Sequence, residues 1–115
     1  MTTPLVKYAN SHPAEIFIAG DYDEARKIVR KFCDEVGCCV TVTPITYIYT
    51  QGEETGIRVG FINYPRFPKT PDEIESQAQL LAERLLRALG QQSYSIQSPD
   101  ETMWVSYRDQ DVSEI

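Results

Sequence analysis

The chain has 115 residues, and its 17 Asp and Glu residues outnumber its 11 Lys and Arg residues, so the formal net charge is −6. This length is typical of one compact domain and excludes a multi-domain enzyme or a long repeat array. The 42% of hydrophobic residues can build a core, whereas the acidic balance disfavours broad binding to a phosphate backbone.

Residues 1–14 show no clean periodicity and are predicted to form an N-terminal arm. The apolar run 15–19 that follows predicts a buried strand. Apolar residues then recur at the spacing of one helix face as far as Val36. Asp21 is the predicted N-cap of this helix, and Gly37 provides the stop at its C-terminus.

Residues 38–50 are rich in β-branched and aromatic side chains and predict a strand. Pro44 lies within it and indicates either a sheet edge or a bulge, because proline cannot donate to a strand ladder. The polar stretch 51–54 is predicted to be a turn, with a second strand over residues 55–64. Together these segments predict a long β-hairpin.

A second helix is predicted to begin at the N-cap Thr70 and to carry an apolar stripe as far as Leu89. Two short strands, 93–97 and 102–108, come next because apolar and polar side chains alternate in them. The acidic residues 109–115 are predicted to form a flexible tail.

The elements therefore follow the order βαββαβ with one additional C-terminal strand. This order matches the split βαβ, ferredoxin-like arrangement. We predict an α+β fold in which two helices pack on one face of an antiparallel sheet. The single domain covers residues 15–108, between the arm and the tail.

The sequence shows neither a membrane-spanning stretch nor the apolar segment of a signal peptide, so we expect a soluble, cytoplasmic protein without membrane contacts. It has an odd number of cysteines, Cys33, Cys38 and Cys39, unlike the paired cysteines of secreted disulfide-rich domains. We interpret them as reduced thiols, and the sequence leaves their role open.

No catalytic or metal-binding set of residues is evident. His12 is the only histidine, the cysteines lack the C-x-x-C spacing of zinc and redox sites, and no glycine-rich phosphate loop occurs. We therefore expect no metal and no cofactor, and we favour a protein that is not an enzyme. A nucleophile at Cys38 or Cys39 is a weaker alternative, because the preceding helix C-terminus disfavours a thiolate.

The loop between the hairpin and the second helix is the first candidate binding surface. Tyrosine and arginine are enriched at interface hot spots, and prolines stiffen this loop. Its candidate binding residues are Tyr64, Arg66, Phe67 and Lys69. The competing interpretation is that the two aromatic residues only fill the junction between sheet and helix.

The open face of the predicted sheet is the second candidate surface. Its candidate residues are Tyr47, Tyr49 and Trp104. The same topology occurs in RNA-recognition motifs, which stack bases on sheet aromatics, but the basic-glycine-aromatic signature of those modules is missing. Nucleic acid is therefore an unfavoured partner, whereas a nucleotide or another small ligand on this face is the main alternative.

Three runs have a pattern seen in other proteins: IFIAGD (Ile16–Asp21), FINYPRFP (Phe61–Pro68) and SPDETMWVS (Ser98–Ser106). They resemble small bacteriophage or prophage proteins, most of which lack an assigned function. The resemblance implies a protein made in the host cytoplasm and carries no functional residues across. We expect a small non-enzymatic interaction protein that contacts a host or viral protein, or a second copy of itself in a homodimer.

Overall fold

The structure is a computed structural model that describes residues 2–113. The strands are β1 (Ala14–Ala19), β2 (Val40–Tyr49), β3 (Gly52–Phe61), β4 (Ser93–Gln97) and β5 (Thr102–Ser106), and the helices are α1 (Tyr22–Val36), α2 (Pro71–Ala88) and α3 (Asp109–Val112). The strands form one antiparallel sheet in the order β2-β3-β1-β4-β5. This confirms the predicted α+β, ferredoxin-like fold with an additional strand.

Helices α1 and α2 pack on one face of the sheet and leave the other face open. Strand residues alternate between these faces, so that Ile16 lies between Val59 of β3 and Ile96 of β4 on the helix side. The largest fully buried side chains are Phe32, Ile16, Ile18, Ile57, Ile74, Leu81, Leu85 and Val59. The core therefore lies wholly between the sheet and the two helices.

Local capping signals set the ends of both long helices. The Asp21 carboxylate accepts a hydrogen bond from the Glu24 backbone N–H at 3.0 Å, and Gly37 ends α1 with φ of 77°. At the start of α2, Thr70 and Glu73 form a reciprocal capping box. Both helices consequently begin close to the positions that the sequence predicts.

Strand β2 runs past Pro44 without a bulge, because its register against β3 is continuous from Val40 to Tyr49. The bulge alternative was therefore wrong and the edge alternative was right, since β2 is one of the two edge strands. The N–H that proline lacks is dispensable at a sheet edge.

The hairpin turn lies earlier than the sequence indicated. Gly52 already pairs with Tyr49, so the turn consists of Thr50 and Gln51, and Gln51 has φ of 64°. The prediction of a turn over residues 51–54 was therefore wrong. Glu54 belongs to β3 and lies directly opposite Tyr47 on the open face.

Both ends of the chain are attached to the body more firmly than the sequence indicated. In the N-terminal arm, His12 Nε2 lies 2.6 Å from Glu75 Oε2 in α2, and Asn63 Nδ2 donates to the Asn10 carbonyl at 2.8 Å. At the other end, β5 stops at Ser106 and the first residues of the predicted tail form α3. The last two residues of that tail lie outside the described part of the chain.

No helix in the described residues is long and apolar enough to cross a membrane.

Candidate functional site

A polar cleft of about 210 Å³ crosses the open face of the sheet, and its β2–β3 residues lie near the turn of that hairpin. All five strands contribute to it. The residues that line it include Phe17, Tyr47, Glu54, Trp104 and Arg108. Aromatic rings, a carboxylate and a guanidinium thus share one concave surface, although they come from distant parts of the sequence.

Cross-strand register explains the shape of this cleft. Phe17, Ser95 and Trp104 are direct neighbours on β1, β4 and β5, so two aromatic rings flank one small serine. Ala19 and Ser93 lie one row further along the same face and line the cleft with small side chains. The depression arises because small residues lie between large ones.

Tyr47 forms one wall of the cleft from the edge strand. Its ring crosses the backbone of Gly56 so closely that a Cβ atom at Gly56 would lie 2.6 Å from Tyr47 Cε2. Burial raises the pKa of the Tyr47 hydroxyl, and the negative charge of Glu54 raises it further. The hydroxyl is therefore neutral at physiological pH and can donate a hydrogen bond.

Glu54 and Arg108 bring both signs of charge to the cleft. Within residues 2–113, Glu54 takes part in no ion pair, so its carboxylate is available to a cationic ligand. The nearest acidic partner of Arg108 is Asp111, at 3.8 Å. A ligand that carries separate positive and negative groups matches this arrangement.

A larger cavity of about 340 Å³ lies elsewhere, between the C-terminal end of α1, the end of β3 and the start of α2. Its lining is mainly apolar and includes three of the predicted loop residues: Tyr64, Phe67 and Lys69. Arg66, the fourth, places its guanidinium carbon 5.3 Å from the centre of the Phe67 ring. The structure therefore gathers the loop residues at this cavity, apart from the sheet-face residues.

All three cysteines also border this larger cavity. Cys38 Sγ lies 3.7 Å from Cys33 Sγ, and burial together with this neighbour raises the pKa of Cys33 to about 12. A hydrogen bond with Cys39 raises the pKa of the Tyr64 hydroxyl, and burial raises it further. Cys33 is thus protonated at neutral pH, a state unsuited to nucleophilic attack.

The polar cleft is a better candidate site than the cavity beside the cysteines, although it is the smaller of these two. A ligand with charged groups loses hydration on entering the larger cavity, where Lys69 is the only charged side chain in the lining. The open-face cleft supplies both a carboxylate and a guanidinium. Among the described residues, no group of three or more His, Cys, Asp or Glu side chains is arranged to hold a metal ion.

Of the predicted sheet-face residues, Tyr47 and Trp104 line the same cleft, whereas Tyr49 lies outside it at the end of the hairpin, over Gly52. Sequence reasoning missed Glu54 and Arg108. Glu54 was hidden by the misplaced turn, since a turn at residues 50 and 51 would have placed it opposite Tyr47. No local signal in the sequence marks Arg108.

No family model matches the sequence, and no curated protein matches it significantly. Several solved structures match the fold. A phage SAM lyase in the apo state has a TM-score of 0.68 and 13% identity, over 92% of this chain and 98% of that chain. A phage SAM lyase in complex with S-methyl-5'-thioadenosine has a TM-score of 0.64 and 10% identity, over 91% and 96%.

CutA from Synechococcus elongatus, complexed with a Bis-Tris molecule, has a TM-score of 0.51 and 17% identity, over 88% of this chain and 83% of that chain. At these identities the likeness shows a common fold. Two of the matched structures are phage proteins, which agrees with the resemblance of three sequence runs to phage proteins.

The expectation of a non-enzymatic interaction protein is contradicted by this comparison. Two matched structures that cover more than nine-tenths of the chain are structures of an enzyme, a lyase. The expectation was based on the absence of a recognisable catalytic motif. That absence carries little weight for a fold in which the polar side chains of a site come from separate strands.

Proposed function

We propose that this protein is a lyase that cleaves S-adenosylmethionine (SAM) in the open-face cleft. The observation that carries the proposal is the cleft itself, which groups aromatic rings with an unpaired carboxylate on the fold of the phage SAM lyases. Fold alone does not specify an activity, so the proposal rests mainly on the chemistry of these side chains.

The groups of SAM correspond to the groups in the cleft. Its adenine can stack on an aromatic ring such as that of Trp104, which is 58% exposed. Its sulfonium cation is attracted to aromatic faces, and Tyr47 and Phe17 supply two of them. Glu54 is the proposed partner of the α-ammonium group, because it is an unpaired anion on the same face.

The size of the cleft limits how the ligand is held. A volume of about 210 Å³ is below the roughly 300–1,000 Å³ of pockets that enclose drug-sized ligands. We therefore expect the cleft to hold the reacting end of SAM, while part of the ligand lies on the exposed sheet face around Trp104.

The reaction breaks the bond between sulfur and the four-carbon amino-acid portion. S-methyl-5'-thioadenosine leaves with the bonding electron pair on sulfur, while the α-carboxylate of the same substrate attacks the carbon from which sulfur departs, so that the amino-acid portion leaves as a cyclic ester and no water or proton is consumed. The positive charge on sulfur and the negative charge on the carboxylate cancel in this step, and holding the amino-acid end in position for the attack favours the reaction through orientation. The neutral Tyr47 hydroxyl is the proposed hydrogen-bond donor beside the reacting centre.

The test is to incubate the purified protein with SAM and to measure S-methyl-5'-thioadenosine by chromatography and mass spectrometry. Glu54→Gln and Tyr47→Phe should each lower the rate about 100-fold or more, because each removes a group at the reacting end. The matched controls are Glu53→Gln, on the opposite face of the same strand, and Tyr49→Phe, outside the cleft; both should keep the wild-type rate. Absence of product with the wild type, or equal loss in the controls, would contradict the proposal.

We place the proposed activity in the cytoplasm, as the sequence predicts, because SAM is synthesised there.

A further inference from the structure

Arg108 lies at the end of the cleft beyond β5, on a segment whose backbone is held from several sides. Its N–H donates to Ser106 Oγ at 3.2 Å, and its carbonyl accepts from the N–H groups of Asp111 and Val112, both at 3.0 Å. The preceding residue, Tyr107, donates its N–H to the Gln92 carbonyl at 2.7 Å. The point from which the Arg108 side chain enters the cleft is therefore fixed.

The Arg108 side chain is oriented by a small polar network. Ser106 donates its hydroxyl to the Asp111 carboxylate, and the same carboxylate oxygen lies 3.8 Å from Arg108 Nη1. This ion pair is long for a direct hydrogen bond, so the guanidinium retains donors for another acceptor. Arg108 is half-buried, with 40% of its side chain exposed, and it lines the same cleft as Glu54.

A guanidinium presents a planar fork of donors that suits a carboxylate. Glu54 and Arg108 line the same cleft and form no ion pair with each other within the described chain, so both are available to a ligand with one ammonium and one carboxylate. We propose that Arg108 binds the α-carboxylate at the amino-acid end of the ligand, and that Ser106 and Asp111 are positioning residues for it. This inference rests on the proposed function.

The consequence is selectivity between substrate and product. S-methyl-5'-thioadenosine has lost both the ammonium and the carboxylate, so the cleft retains only its contacts with the nucleoside portion. Arg108 thereby contributes to the binding of an intact amino-acid end and not to the binding of the product. Replacing a residue that only stabilised the fold would change the affinity for both ligands.

The test compares two neutral thioethers by isothermal titration calorimetry. S-adenosylhomocysteine has the amino-acid end but no sulfonium to cleave, and S-methyl-5'-thioadenosine lacks that end. Arg108→Met should weaken S-adenosylhomocysteine about 10- to 100-fold and leave S-methyl-5'-thioadenosine within about twofold, as expected for loss of a charged hydrogen-bonded pair. Arg30→Met, an exposed substitution on α1 behind the sheet, is the matched control and should change neither value.

Two further measurements separate the carboxylate from the ammonium and test the positioning residues. The decarboxylated form of S-adenosylhomocysteine should bind the wild type and Arg108→Met equally. Ser106→Ala should weaken S-adenosylhomocysteine alone, and Ser106→Thr, which keeps the hydroxyl, should restore it.

If Arg108→Met weakens the binding of both thioethers equally, or of neither, the inference is overturned while the proposed function stands. If the wild type binds neither thioether and releases no product from SAM, the inference and the proposed function fail together.

Discussion

Gly56 affects both the packing of the sheet and the shape of the cleft. A Cβ atom there would lie 2.6 Å from Tyr47 Cε2 and 2.8 Å from the backbone carbonyl oxygen of Ile18. The second contact involves the main chain of β1, so no side-chain rotation relieves it. The two strands would have to separate by about 0.6 Å to restore ordinary contact.

For Gly56→Ala we expect the free energy of unfolding to fall by about 1–2 kcal/mol. Overpacking costs about 1–3 kcal/mol, and the lower backbone entropy of alanine in the unfolded chain returns about 0.5–1 kcal/mol. Gly60→Ala is the matched control on the same strand and face. Its Cβ would meet only the Thr41 hydroxyl, which can rotate away, so we expect a change within about 0.5 kcal/mol.

Urea denaturation followed by far-ultraviolet circular dichroism measures both variants. The rate of S-methyl-5'-thioadenosine release, measured well below the unfolding midpoint, should fall for Gly56→Ala because the Tyr47 ring is displaced. Equal stabilities of Gly56→Ala and Gly60→Ala would refute the packing argument. A destabilised Gly56→Ala that keeps the full rate would refute the link between this glycine and the cleft.

Three other outcomes follow from individual contacts. Glu83→Ala should lower the free energy of unfolding by about 2 kcal/mol in urea titrations, because the hydroxyl of the buried Tyr94 donates a hydrogen bond to Glu83 at 2.6 Å. Glu83→Gln should lower it less, and an equal decrease in both variants would contradict this. Gln51→Gly should raise the free energy of unfolding by about 0.5–1 kcal/mol, because Gln51 has φ of 64°, which glycine adopts without strain. An equal increase with Gln51→Ala would show that the backbone conformation is not the cause. Below about pH 10, a disulfide reagent should label the exposed Cys39 first and Cys33 last, because the pKa of Cys33 is raised to about 12. Peptide mass spectrometry measures the order of labelling, and early labelling of Cys33 would contradict this prediction.

The elements that were predicted correctly are those with strong local signals. Helix α2 begins at a capping box within four consecutive residues, and α1 ends at a glycine that adopts a left-handed conformation. Alternating side chains identified the strands, and the order of elements then restricted the topology to a ferredoxin-like sheet. Neighbours along the chain set each of these features, so the sequence alone reveals them.

The hairpin shows where local signals were insufficient. The polar run 51–54 contains a glycine and looks like a turn, yet the turn is formed by Thr50 and Gln51. The preference for the earlier turn comes from pairing ten residues of β2 with ten of β3, including Ile57 and Val59 in the core. Tertiary burial outweighed turn propensity, because a shifted register would have changed the faces of those side chains.

The sequence by itself determined the class of fold, the limits of both long helices and the acidic charge. Only the tertiary structure decided that Glu54 faces Tyr47, that Trp104 lies beside Phe17 across β4, and that Arg108 reaches the same cleft. The physical reason is that helix caps and strand alternation depend on adjacent residues. A site on an open sheet depends instead on the register between strands, which the packing of the opposite face determines.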